Sequence, residues 1–129
     1  MNYNHPNQVR SPQDYVKHIK PLYDGGEEGC SIAILEDCDG IKNIGIRWSV
    51  SEKEWNDIRK TKNGMICVGM PQSRGYSVWF LLPRSFWRFV PQIIKDEMAG
   101  CGKQNMIHIT EKQIQDEIDK IFQEYELNR

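Results

Sequence analysis

At 129 residues, with 39% hydrophobic and 27% charged side chains, the chain has the size and make-up of one globular domain with an ordinary core. Its formal net charge of −1 excludes a histone-like nucleic-acid coat, whose affinity needs many uncompensated cations. The opening MNYNHPNQVR has no apolar h-region and the longest apolar run, Val78 to Leu82, is far too short for a bilayer, so a cytoplasmic protein away from membranes is expected.

In chain order, residues 1–10 read as a flexible or extended segment. Ser11-Pro12 supplies an N-cap and an N1 proline ahead of Tyr15, Val16, Ile19 and Leu22, which predicts a short amphipathic helix that Pro21 ends or bends. DGGEEG at 24–29 reads as a loop. Residues 30–36 and 41–50 are expected as strands of a hairpin turned by Asp37-Cys38-Asp39-Gly40. In the second of them Ile44, Ile46, Trp48 and Val50 share one face, with Gly45, Arg47 and Ser49 on the other. Ser51 with Glu54 has the form of a capping box and predicts a helix to about Lys60. A third strand is expected near 65–70, and Pro71 to Gly75 reads as a loop before an apolar strand over 76–82.

Ser85 can cap a helix running to Gly100, with Phe86, Val90, Ile93 and Ile94 toward the core. Pro91 would cost that helix about 3 kcal/mol in its interior, so a kink there or a start at Pro91 fits equally well. Residues 105–109 suggest a fifth short strand. Thr110 with Gln113 opens a last helix bearing Ile114, Ile118, Ile121, Phe122 and Tyr125 on one face. A strand-rich centre between helical ends predicts a single α+β domain with a four- or five-stranded, mostly antiparallel sheet flanked by N- and C-terminal helices.

Charge is unevenly spread. Residues 51–90 carry a net +4, against −2 over 1–50 and −3 over 91–129. Between Asp57 and Asp96 there is no acid, while Arg59, Lys60, Lys62, Arg74, Arg84, Arg88 and Lys95 share that stretch with six aromatic residues. A positive, aromatic-rich stretch suits anionic or planar groups, and Arg, Trp and Tyr also dominate protein-binding hot spots. The contact candidates are Arg47, Arg74, Tyr76, Trp79, Arg84, Trp87 and Arg88. Pairing of the strand over 76–82 with that over 41–50 would set Arg47, Ser49, Ser77 and Trp79 on one open sheet face, fit to stack a base. The plainer reading has most of these aromatics in the core and the cations on a solvated rim.

Other features carry less. Ser73 and Arg74 within GMPQSRG could hold an oxyanion, but the Lys-Ser/Thr ending of a P-loop is missing, so a simple connection is preferred. His108-Ile109-Thr110 resembles the His-x-Thr motif of two-histidine phosphoesterases. That mechanism needs a second copy, and His5 and His18 are followed by other residues. Glu27-Glu28 and Asp37/Asp39 lie where solvated acids are ordinary. Cys30, Cys38, Cys67 and Cys101 show no CxxC spacing and are expected as free thiols, with neither a metal nor a cofactor.

The expected function is a small non-enzymatic binding or regulatory protein that docks on a larger protein partner through the basic aromatic stretch. A nucleic-acid or nucleotide binder using the same residues is the alternative, and an enzyme with a non-local site near His108 a third. The acidic outer face of the last helix could also pair with the basic centre, within the chain or across a dimer.

Overall fold

A tight turn organises the centre of the chain. Gly40 adopts φ +80°, which an L side chain resists, and the Asp37 carboxylate accepts the N–H groups of Asp39 and Ile41, each at 2.9 Å. This turn sets β2 (Cys30–Glu36) against β3 (Lys42–Trp48) in an antiparallel register that pairs Ser31 with Arg47 and Ala33 with Gly45. The computed structural model describes residues 5–9, 16–26, 29–49, 71–73, 76–101 and 104–127. The helix expected over 51–60 and the strand expected near 65–70 lie outside them.

The later part of the expected N-terminal helix is instead a strand, β1 (His18–Asp24), antiparallel to β2, while residues 11–15 lie outside the described ones. Pro21 explains the outcome. It cannot donate in a helix interior, whereas β1 is an outer strand of the described sheet and its register shifts between Pro21 and Tyr23. Ahead of it, residues 5–9 are not detached. Pro6–Gln8 form a 3₁₀ turn capped by His5, with Pro6 and Val9 buried.

The strand expected over 76–82 is divided. β4 (Gln72–Ser73) and β5 (Tyr76–Ser77) form a small hairpin, and only β6 (Phe80–Leu81) joins the sheet. The result is a four-stranded antiparallel sheet in the order β1-β2-β3-β6, with helices toward both ends of the chain's second half, an α+β fold.

Helix α1 (Arg84–Trp87) is one turn long, and α2 (Val90–Cys101) begins anew after Arg88 and Phe89. Pro91 thus sits in a first helical turn, where its missing N–H has no intrahelical acceptor to lose. The expected fifth strand is absent: residues 104–110 are irregular and close the edge of β1 through a side chain. Asn105 donates from Nδ2 to the Leu22 carbonyl and accepts the Asp24 N–H, while Met106 N–H donates to the Asp24 carbonyl. The capping box at Thr110 and Gln113 forms in both directions and starts α3 (Glu111–Leu127).

The two faces of the sheet are both covered. Ile32, Ile34 and Ile44 pack with Trp87, Val90 and Ile94 and with Ile114, Ile118 and Ile121 of α3. A smaller cluster on the other face joins Ala33 and Leu35 to Val9, Val16 and Trp79. At Gly45 a Cβ would come within 2.7 Å of Leu35 Cδ1 and 3.1 Å of Trp79 Cβ, so Trp79 lies directly on the β3 backbone.

Candidate functional site

Three of the seven contact candidates lie in the interior. Arg47 is 1% exposed, Trp79 8% and Trp87 1%. Arg47 and Trp79 do share a sheet face, as the strand alternation implies, and the Arg47 guanidinium donates to the Val78 carbonyl at 3.1 Å. That face is not open. The Trp79 indole N–H donates to the Val9 carbonyl at 2.7 Å, and the N-terminal turn sits on β1 and β2, so the surface proposed for base stacking is closed by the chain itself.

Trp87 is lost to the surface for a different reason. The break at Arg88 and Phe89 rephases the helix, so that Trp87, Val90 and Ile94 take the core positions and Phe86 turns out to solvent. The Trp87 ring meets Phe122 with centroids 5.6 Å apart, and its N–H donates to the Leu82 carbonyl. Arg84 and Arg88 are exposed as expected. Tyr76 lies on β5, described in its backbone alone, and Arg74 is outside the described residues.

What does reach solvent is a group of side chains within ten consecutive residues, Phe80 and Leu81 leaving opposite faces of their strand. Phe80, Leu81, Phe86 and Phe89 are between 37% and 55% exposed, beside Arg84 and Arg88. The Arg88 guanidinium lies 5.2 Å from the Phe89 ring centre, and Arg84 lies 3.6 Å over Tyr125 of α3. A cation over an aromatic face is attracted by the ring quadrupole, which orients the guanidinium at the surface. None of these four apolar residues was among the contact candidates. For Phe86 the signal of its exposure is the Pro91 break, because a helix restarting there cannot keep Phe86 and Val90 on one face.

A buried polar row also escaped the sequence reading. Asp24, Ser31 and Arg47 are register neighbours across β1, β2 and β3, all within the interior. The Asp24 carboxylate accepts the Ser31 hydroxyl at 3.1 Å and the Gly26 N–H at 2.9 Å. The hairpin turn implies the Ser31–Arg47 pairing, but Asp24 joins only once residues 18–24 are known to be a strand.

Among the described residues, the acids of α3 that form ion pairs do so away from the basic stretch. Glu117 pairs with Lys20 and Glu124 with Lys42 at 2.9 Å, both outside that stretch. A groove of about 420 Å³ separates α2 from α3, floored by Ile94, Ile109 and Ile114 and rimmed by Lys95, Lys112 and Asp116. A second cleft of about 410 Å³, lined by Lys42, Arg84, Glu124 and Tyr125, opens beside the hairpin turn. His108 is exposed and lines neither. Cys30 is buried and Cys38 exposed. Among the described residues no group of His, Cys, Asp or Glu is gathered to hold a metal, and no helix is long and apolar enough to cross a membrane. No protein-family model, curated protein or solved structure matches the chain.

Proposed function

We propose that this protein acts by docking on a larger protein partner, through the aromatic and basic surface of residues 80–89. The observation that carries this reading is the exposure of Phe80, Leu81, Phe86 and Phe89 next to Arg84 and Arg88. Single exposed apolar residues are ordinary on a protein surface. Four large ones within ten residues, in company with arginine, have the composition of an interaction site. Rigid support strengthens it: Trp87 is anchored beneath, between Leu82 and Phe122, so the outward rings need little further ordering on binding. Regulation or inhibition of that partner is the role such a docking protein would fill.

The test is affinity capture from the native cell, with and without nuclease, using the full chain and a Phe86→Ser/Arg88→Glu variant. A protein partner that survives nuclease and is lost with the variant is the expected result. Capture abolished by nuclease would replace this reading with nucleic-acid binding. Equal capture by both forms would remove the surface from the account.

A further inference from the structure

The same surface is complementary to another part of the same molecule. We propose that, in the absence of a larger partner, residues 80–89 of one copy are covered by α3 of a second copy in a two-fold dimer. This rests on the docking reading for the surface and goes beyond it by naming an occupant.

Charge supplies the first argument. Arg84, Arg88 and Lys95 are exposed in a stretch with no acid between Asp57 and Asp96. Helix α3 exposes Glu111, Asp116, Asp119 and Glu126 against Lys112 and Lys120. Asp119 and Glu126, seven residues apart, lie along one side of the helix. With a net charge of −1, two copies approach without long-range repulsion and their opposite patches steer them together.

Adjacency supplies the second. Arg84 lies over Tyr125, and Trp87 meets Phe122, so the surface and α3 border each other in one molecule. Neighbouring patches that complement each other suit a two-fold axis, with each copy placing its helix on the other's aromatic surface. The same complementarity between opposite poles would instead generate an open chain. The chemistry already operates inside the molecule, where α3 holds Lys20 and Lys42 through Glu117 and Glu124 and receives Arg84 on Tyr125. In the dimer, exposed Asp119 and Glu126 do the same for the partner's arginines, and the phenylalanines leave water. The docking surface is then hidden until a larger partner displaces the second copy.

Sedimentation velocity of the full chain, over a concentration series at low and moderate salt, tests this. The expected result is a reversible dimer weakened by salt, and weakened about tenfold or more by Arg88→Glu, by Asp119→Lys/Glu126→Lys and by Phe86→Ser. All of these positions are exposed, and circular dichroism checks that each variant folds. An equimolar mixture of the Arg88→Glu and Asp119→Lys/Glu126→Lys forms should regain association, because each then carries the other's complement. A monomer at every concentration overturns the proposal, as does a dimer unaffected by the reversals or a mixture no tighter than its parts. A monomeric chain whose partner capture still depends on Phe86 and Arg88 would refute the dimer and keep the docking reading. A patch-dependent dimer that captures no partner would do the reverse.

Discussion

Trp79 and Phe86 exchanged roles between expectation and structure, and each did so through its immediate surroundings. Trp79 gives its indole N–H to the Val9 carbonyl and lies against the bare backbone of Gly45. Trp79→Phe keeps the ring but leaves that buried carbonyl without its donor. A loss of about 1–3 kcal/mol in urea unfolding is expected, with little change in the folded secondary structure. Asp24 belongs to the same scale. Asp24→Ala strands the Ser31 hydroxyl and the Gly26 N–H in the interior, at a cost of about 2–3 kcal/mol by thermal or urea melting, while Asp24→Asn keeps an acceptor and should cost less. Residues of this kind are hard to read from a sequence, because burial turns a solvated charge into a constrained one without changing its letter.

Elements with strong local chemistry matched expectation closely. The β2–β3 hairpin follows from Asp37 and Gly40, and α3 from the Thr110–Gln113 box and its isoleucine spacing. Two of the departures arose where local and tertiary preferences compete. Ser11-Pro12 and the apolar spacing after it favour a helix, yet residues 18–24 gain a whole ladder of hydrogen bonds by pairing with β2. Residues 105–109 have strand composition, yet Asn105 serves the edge of β1 with one side chain in place of a ladder. Asn105→Ala should therefore open that edge. A loss of about 1–3 kcal/mol and faster amide exchange at Asp24, read by hydrogen-exchange mass spectrometry or NMR, is the expected outcome.

At the scale of the molecule, the sheet carries a core cluster on each face. Among the described residues the helical side is large and continuous, whereas the other side gathers Val9, Val16 and Trp79 on Ala33 and Leu35. Deleting residues 1–9 removes the buried Val9 and the acceptor of Trp79, so a stability loss on the order of 3 kcal/mol is expected. Tryptophan emission should shift to the red as Trp79 meets water. Phe86 lies away from this dependence, in the one-turn helix whose Trp87 enters the helical core. Phe86→Ser should leave the melting temperature within a few degrees of the parent and act on association instead.

The sequence by itself determined the α+β character, the central hairpin, the last helix with its core face, and the stretch in which cations and aromatics meet without acids. These depend on turn chemistry, side-chain periodicity and charge, all of which are local. Only the tertiary structure decided which members of that stretch face water. Trp79 is covered by Val9, 70 residues earlier in the chain, and Arg47 reaches the Val78 carbonyl 31 residues later, pairings that no local preference encodes. Trp87 and Phe86 are sorted by where a helix restarts, and that point is set by Pro91 together with the packing of α3 against the sheet. Exposure is a property of what closes over a residue, and closure comes from parts of the chain far away in sequence.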